Sequence, residues 1–279
     1  MNHHHHQKVK NLHNSVANSS DPALSTVRPP GTTMADLNRV AQSIRRNLKL
    51  KNGSSLLDIG CGNGLLSSHF LSECSRYVGI DYSSDCLDVF KLRLVELDSR
   101  TKIELIDIDA TTTFPDIGKF DRVLAYASFH YVESEQEATD TLLRLISCVK
   151  KDGYLLLGNL PLTDLQNIAF GKNCDGNFLV RFFAKCKWLF SSDLSVIGPK
   201  WKITVVFDLL RRKIKRAISS QLDLEKLPPL EIQSVEFTLD KFQDWLQLSK
   251  SKVRSEFLPT CSRAPLAIGR ADLLIQVLE

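Results

Sequence analysis

Residues 56–64 read Leu-Leu-Asp-Ile-Gly-Cys-Gly-Asn-Gly. A short apolar run ends at Asp58, and glycine then occupies every second position from Gly60 to Gly64. The residues that follow, 65–71, predict a helix. A strand, a glycine turn and a helix in this order bring backbone N–H groups close to a ligand, because a Cβ would block the left-handed turn or hold the ligand away. The stretch therefore predicts the ligand-binding turn of an α/β sheet.

Strand and helix patterns alternate after this turn. Apolar runs predict strands at 76–81, 103–108, 120–126 and 154–158, and helical spacing predicts helices at 36–48, 84–97 and 134–149. Runs that are apolar on both faces suit a parallel sheet covered by helices on each side. Two last strands, at 253–257 and 271–277, are expected to be antiparallel at the sheet edge. The prediction is a doubly wound α/β fold with a seven-stranded, mostly parallel sheet.

Three acidic residues stand at the predicted carboxyl ends of three strands: Asp58, Asp81 and Asp109. A single acid in this place is usually a helix cap, and a lone glycine turn is often only a tight turn. Asp81 lies 17 residues after Gly64, where a carboxylate accepts hydrogen bonds from both ribose hydroxyls in a nucleoside site. Leu65 stands where the dinucleotide fingerprint requires its third glycine. Together these features favour a nucleoside ligand over a nicotinamide dinucleotide.

At residues 36–160 the chain resembles the class I S-adenosylmethionine-dependent methyltransferases. Residues 57–64 look like the first motif of this family, and residues 79–83 look like its second-strand acid. Asp109-Ala110, followed by Phe120-Asp121, resembles the signature of the third and fourth strands, and residues 145–158 resemble the fifth. Lys151-Asp152-Gly153 stands where the family often has Pro-Gly-Gly. The resemblance implies a Rossmann-like methyltransferase fold with S-adenosyl-L-methionine as cofactor and no metal.

The resemblance also implies roles for individual residues. Gly60 and Gly62 would face the methionine moiety, whose amino group Asp58 would help to hold. Asp81 would bind the ribose hydroxyls, and Asp109 would accept from the adenine amino group. The remaining residues expected to bind the cofactor are Cys61, Tyr82 over the adenine face, Ala110 beside Asp109, and Tyr126 as a wall of the pocket.

A hydroxyl acceptor would also need a base. His130, which follows the predicted fourth strand, is the candidate catalytic residue, because a neutral imidazole suits proton abstraction near pH 7. A hydrogen-bonded histidine that shapes the loop is the alternative. Tyr126 and Tyr131 are other candidates for the base, although each fits better as a wall of the pocket.

Composition divides the chain into a tail, a domain and an insertion. Residues 1–33, which include His3–His6 and many polar residues, are expected to be a disordered tail, and residues 34–279 the methyltransferase domain. Residues 160–235 are expected to be a helical lid insertion. Between Phe170 and Ser220 this insertion carries eleven Lys or Arg against three Asp, with eight Phe or Trp.

The lid admits three interpretations. The first is a cover whose apolar face packs on the sheet and whose cations are solvated. The second is a surface that contacts an anionic membrane through residues 178–218, and the third is a site for an anionic substrate. Nucleic acid is the least favoured acceptor, because neither an Asn/Asp-Pro-Pro-aromatic motif after the fourth strand nor a Pro-Cys nucleophile is present.

The sequence favours a cytoplasmic protein, with peripheral membrane contact as an option. Its seven scattered cysteines form no C-x-x-C pair, and no apolar run is long enough for a signal peptide or a membrane span. The predicted function is methyl transfer to a small, glycan or lipid-linked acceptor, with oxygen preferred. N-methylation of a small molecule and a non-catalytic cofactor-binding scaffold remain alternatives.

Overall fold

In a computed structural model of the chain, the described residues are 4–26, 28, 32–96, 101–112, 114–164, 235–259 and 270–279. Seven strands form one sheet: β1 (Ser54–Ile59), β2 (Cys74–Asp81), β3 (Lys102–Asp107), β4 (Phe120–Tyr126), β5 (Val149–Pro161), β6 (Val253–Pro259) and β7 (Arg270–Val277). Six α-helices accompany them in the described ranges: α1 (His4–Val16), α2 (Pro22–Ser25), α3 (Met34–Asn47), α4 (Ser84–Glu96), α5 (Glu135–Ser147) and α6 (Leu239–Gln247).

The strand order is β3-β2-β1-β4-β5-β7-β6. Strands β1 to β5 pair in parallel, whereas β7 is antiparallel to both β5 and β6. The doubly wound fold is confirmed, with one difference of detail, since the antiparallel strand lies one position in from the edge. The order reverses between β1 and β4, and ligands of such sheets bind at the carboxyl ends of the strands beside this point.

Both faces of the sheet are covered by apolar residues, which explains why the central strands show no polar alternation. All six residues of β1 are buried. One core cluster joins the sheet to α5 and α6 and includes Phe129, Phe242 and Trp245. The second cluster joins the other face to α3 and α4 and includes Tyr77 and Phe90. The sheet is therefore a rigid platform for the loops at its carboxyl end.

The N-terminal segment differs from the expected disordered tail, because residues 4–16 and 22–25 are helical. Val9 and Ala17 are buried, at 2% and 0% exposure. The Asn63 amide donates to the carbonyls of Ala17 and Ser25, both at 3.2 Å. Tertiary contacts thus order a segment whose polar composition alone would not bury enough apolar surface.

The segment after the glycine turn also differs from the prediction. The sequence predicts an α-helix over residues 65–71, but the chain forms two short 3₁₀ turns, Ser67–His69 and Leu71–Glu73. Phe70 between them has φ −134° and ψ 4°, which interrupts the helical conformation. The first turn still carries Ser67 to the base of the glycine turn.

Most of the expected lid, residues 165–234, lies outside the described residues, and so does the expected membrane contact through 178–218. Within the described part of the chain, no helix is both long enough and apolar enough to span a bilayer. The same residues contain no group of three or more His, Cys, Asp or Glu placed to hold a metal ion.

Candidate functional site

The glycine turn after β1 has the left-handed backbone that its spacing predicts. Gly60, Gly62 and Gly64 have φ values of +70°, +56° and +71°. A Cβ on Gly60 would lie 2.4 Å from the Cβ of Ser128, and one on Gly64 would lie 2.1 Å from the Phe90 ring. A Cβ on Gly62 would meet nothing within 4 Å. Gly60 and Gly64 therefore allow close packing, while Gly62 leaves open space above the turn.

Asp58 lies beneath this turn. Its side chain is buried, and Oδ2 accepts hydrogen bonds from Ser67 Oγ at 2.5 Å and Tyr77 Oη at 2.8 Å. Burial raises the pKa of Asp58 to about 6, although the two hydroxyl donors oppose the shift. The carboxyl group thus connects the turn to β2 and the first 3₁₀ turn.

Asp81, at the end of β2, faces the turn from the neighbouring strand. Its Oδ2 accepts from the backbone N–H of Gly62 at 2.8 Å, and its Oδ1 accepts from that of Ser83 at 2.9 Å. Burial raises the pKa of Asp81, and the two backbone donors oppose that shift. Each carboxylate oxygen keeps a further lone pair, so the group can still accept from two hydroxyls.

Asp109, after β3, is held by partners from two parts of the chain. Oδ1 accepts from the backbone N–H of Thr111 at 2.9 Å and from its hydroxyl at 2.7 Å. Oδ2 lies 3.0 Å from Nδ1 of His6 in α1. Burial alone would raise the pKa of Asp109, but the hydrogen bonds from His6 and Thr111 outweigh it and lower the pKa to about 2. Asp109 is therefore an ionised acceptor at neutral pH.

Helix α1 closes over this edge of the sheet. The imidazole of His6 also approaches Glu137 at 3.5 Å and Glu133 at 3.9 Å. The hydrogen bond to Asp109 raises the pKa of His6, against the effect of burial, and the two glutamates add to the increase. At its other end α1 is held by Asn14, whose Oδ1 accepts from Ser83 Oγ at 2.6 Å.

A cavity that is partly open to solvent lies between α1 and the strand ends. Five of the residues predicted to bind the cofactor line it: Gly60, Asp81, Tyr82, Asp109 and Ala110. Apolar side chains, among them Ile80 and Ile108, cover much of the remaining wall. Two carboxylates with free acceptor capacity between apolar walls fit a nucleoside with hydroxyl and amino donors.

The other predicted residues do not line this cavity. Asp58 and Cys61 are buried below the turn, and burial raises the thiol pKa of Cys61 well above its ordinary value. Gly62 takes part through its N–H to Asp81. Tyr126 ends β4 and carries the Arg28 guanidinium over its ring, 5.7 Å from the centroid.

His130 lies in the short 3₁₀ turn Phe129–Tyr131 that follows β4. It is 7% exposed, and no described residue bonds to its Nδ1. Burial lowers the pKa of His130 to about 3, and Arg270 and His13 contribute to the decrease. The imidazole is thus neutral at pH 7, but in this environment it is a weak base.

Several residues of the site do not follow from the sequence-based prediction. His6 belongs to a segment that reads as a polar tail, and Ser128 follows β4 with no motif to mark it. Asn63 lies inside the glycine motif and is buried, but the glycines on either side of it do not predict that burial. Its contacts with Ala17 and Ser25 could not be inferred from sequence spacing.

Residues 57–157 match a family described as a methyltransferase domain. An uncharacterized methyltransferase of Schizosaccharomyces pombe is 33% identical over 120 residues, which are 41% of this chain and 41% of that protein. A ubiquinone biosynthesis O-methyltransferase of Dechloromonas aromatica is 31% identical over 108 residues, 39% of this chain and 45% of that protein. The chain thus spans less than half the length of these curated relatives.

Among solved structures, phosphoethanolamine N-methyltransferase 1 of Haemonchus contortus is similar in fold, with a TM-score of 0.58 and 12% sequence identity. The match covers 98% of this chain and 48% of that one, whose crystals contain phosphoethanolamine and S-adenosylhomocysteine. At this identity the likeness concerns the fold of the sheet and its helices.

Proposed function

Since this chain contains a class I S-adenosylmethionine-dependent methyltransferase domain, we propose that it transfers a methyl group to the oxygen of a small or carrier-linked acceptor. The observation that carries the proposal is the buried Asp81 carboxylate, which is bonded to the glycine turn and lines the cavity. Relatives whose names state O-methylation support oxygen as the acceptor atom.

Different residues of the cavity would bind different parts of the cofactor. Asp81 would accept from the ribose hydroxyls, while its bond to Gly62 keeps the carboxylate in place before the ligand arrives. Asp109 would accept from the adenine amino group, and Tyr82 and Ala110 would form walls beside the ring. Asp58 would act from below by fixing the turn, rather than by direct contact with the methionine moiety.

When bound, S-adenosylmethionine supplies a methyl carbon on a positively charged sulfur. Transfer to a hydroxyl would form a C–O bond, break the bond between sulfur and the methyl carbon, and release one proton, with S-adenosylhomocysteine as the leaving product. The protein must align the acceptor oxygen and exclude water, and both tasks require a rigid surface. Gly60 and Ser128, which pack closely and both line the cavity, would supply part of that surface.

His130 is proposed as the residue that takes the proton, although its pKa of about 3 makes it a weak base in the protein alone. A negatively charged acceptor beside it would raise this pKa toward neutrality. If His130→Gln keeps full turnover and normal cofactor binding, His130 is not the base.

N-methylation is the second candidate function, and a specific observation favours it. The nitrogen of a neutral amine is nucleophilic enough to attack before any proton is removed, whereas a hydroxyl must lose its proton during attack, so the weakly basic His130 would be sufficient for an amine. A non-catalytic scaffold is the third candidate, and it predicts cofactor binding without turnover.

The test is formation of S-adenosylhomocysteine by the full chain with matched phenol and amine acceptors. Turnover that prefers phenols supports the proposal, whereas turnover restricted to amines replaces it with N-methylation. Asp81→Asn should lower turnover at least tenfold at fixed cofactor concentration, while Asp107→Asn should not change it. Asp107 is the matched control because it is exposed and pairs with Asp81 in the β2–β3 register.

A further inference from the structure

Two arginines from distant parts of the chain approach the same pair of tyrosines. Arg28 lies over the Tyr126 ring at 5.7 Å. Arg270, the first residue of β7, donates from Nη1 to the carbonyl of Asn159 in β5 at 2.7 Å. Asn159 follows Gly158, which pairs with Tyr126 in the β4–β5 register and packs against its ring, so this contact places Arg270 beside Tyr126. Burial raises the pKa of Tyr131, and the positive charges of Arg270 and Arg28 oppose that shift.

Neither arginine is paired with an acid in the described part of the chain. The charged or titratable neighbours that act on Arg270 are Tyr131, Tyr126 and Arg28, of which the last repels it. The Nε atom of Arg28 is buried and has no hydrogen-bond partner among the described residues. Two cations held close together without a counter-ion are costly, and an anion between them would remove that cost.

A third unpaired group lies in the same cluster. His130 is 7% exposed, its Nδ1 lacks a partner among the described residues, and its ring is 4.4 Å from that of Tyr131. The positive charge of Arg270 acts on this imidazole as well. A buried polar atom without a partner is rare in folded proteins and calls for a ligand or water.

The backbone around the cluster is strained. Ala127, directly after β4, has φ +59°, and Asn159, in β5, has φ +60°. Left-handed conformations cost free energy at residues other than glycine, and they concentrate at functional sites. The Ala127 N–H donates to the Gly158 carbonyl at 3.0 Å, so the two strained positions are adjacent.

The cluster lies on the acceptor half of the sheet edge. Asp81 and Asp109 mark the nucleoside half at β2 and β3, whereas Tyr126 and Arg270 belong to β4 and β7. Tyr131 connects the halves, because it lines the cavity and the charges of both arginines act on its phenol.

We propose that Arg28 and Arg270 form a subsite for an anionic group, a carboxylate or a phosphate, on the methyl acceptor. This inference rests on the proposed function and narrows its substrate class. The planar guanidinium groups suit bidentate bonds to either anion, and Tyr131 would form the wall between this group and the cofactor. The anion would also supply the negative charge that makes His130 a stronger base.

The test is calorimetric titration of the full chain, saturated with S-adenosylhomocysteine, with benzoate, phenyl phosphate and the neutral isostere benzamide. Benzoate or phenyl phosphate should bind at least tenfold more tightly than benzamide. The better of the two anions identifies the class, carboxylate or phosphate. Arg270→Gln and Arg28→Gln should each remove this preference and leave the affinity for S-adenosylhomocysteine within twofold.

Arg254→Gln is the matched control, because Arg254 is exposed on the adjacent strand β6 and should keep the preference. Equal binding of benzoate, phenyl phosphate and benzamide to the wild-type chain would overturn the inference. A tenfold loss of affinity for S-adenosylhomocysteine in Arg28→Gln or Arg270→Gln would also overturn it, since the cluster would then hold the carboxylate of the cofactor. If the wild-type chain does not bind S-adenosylhomocysteine, the proposed function itself fails.

Discussion

At the scale of single residues, two glycines with left-handed backbone, Gly60 in the turn and Gly118 just before β4, differ in what their missing Cβ allows. Gly60 and Gly118 have nearly the same φ, +70° and +73°, but only the first has a neighbour in the way of a Cβ. Gly118→Ala should therefore lower the free energy of unfolding by about 1 kcal/mol, which is the cost of placing alanine in a left-handed conformation. Gly60→Ala should lose at least about 2 kcal/mol more, because Ser128 must move. Urea denaturation measures both, and equal losses would contradict the packing role of Gly60.

Asp58 gives a pH-dependent prediction. Its pKa is about 6 in the folded chain and near 3.8 in the unfolded one, so between these values the folded state binds more protons. Its contribution to stability is therefore greatest below pH 4 and falls as the pH rises to about 6, by at most about 3 kcal/mol. Asp58→Asn should lack this decrease.

The measurement is the unfolding free energy of the wild-type chain and of Asp58→Asn at pH 4, 5, 6 and 7. The difference between the two curves should change by roughly 2 to 3 kcal/mol over this interval and then stay constant. Asp81 also has a raised pKa, but burial is the main cause of its shift and Asp81 is present in both proteins, so most of its contribution cancels in the difference. Parallel curves would contradict this prediction, because they would mean that folding does not raise the pKa of Asp58.

The sequence predicts Asp81 and Asp109 at the rim because strand-end positions follow from hydrophobic periodicity alone. The depth at which Asp58 lies does not follow from periodicity. It depends on Ser67 and Tyr77, whose hydroxyls occupy its Oδ2 from a turn and a neighbouring strand. The weak basicity of His130 cannot be predicted from the sequence either. It results from burial, and the elements that bury this side chain are far apart in the chain.

At the scale of elements, α1 is the main difference between sequence and structure. Few of its residues are apolar. The imidazole of His6 helps to hold the helix in place through contacts with three carboxylates from other parts of the chain: Asp109, Glu133 and Glu137. Helix propensity and amphipathic spacing are weak signals in such a segment, whose order depends on tertiary contacts. The strongly patterned α3, by contrast, begins with a capping box of Thr33 and Asp36 and is predicted within two residues at its start.

The docking of α1 should depend on pH. The pKa of His6 is raised in the fold, so its contribution is fully present below the unfolded value of 6.5 and is lost as the pH rises through the folded pKa. Amide hydrogen exchange of residues 7–16, corrected for the intrinsic rate, should therefore become faster above this pKa. His6→Ala should speed exchange about fivefold at pH 6, equivalent to about 1 kcal/mol.

Gln7→Ala is the control for this measurement. Gln7 is exposed, and its side chain bonds within α1, to Asn11 at 2.8 Å. Its substitution should leave the pH dependence unchanged. Exchange in α1 that is equally fast in wild type and His6→Ala at pH 6 would show that the imidazole does not hold the helix.

At the scale of the whole molecule, the sheet follows from the sequence, whereas the acceptor side does not. Patterns in the chain show the strands, the helices that cover both faces and the two closing strands, whereas the strand order is visible only in the structure. The approach of Arg28 to Arg270 joins residues at opposite ends of the sequence, through β7 and the segment before α3. No local pattern contains that information, and residues 165–234 lie outside the described part of the chain.

The most direct test of the account is calorimetric titration of the full chain with S-adenosylhomocysteine, beside Asp81→Asn and Asp107→Asn. The wild-type chain and Asp107→Asn should bind one equivalent with equal affinity, and Asp81→Asn should bind at least tenfold more weakly while it remains folded. Binding that is unaffected by Asp81→Asn, or no binding by the folded wild-type chain, would contradict the claim that this carboxylate holds the cofactor.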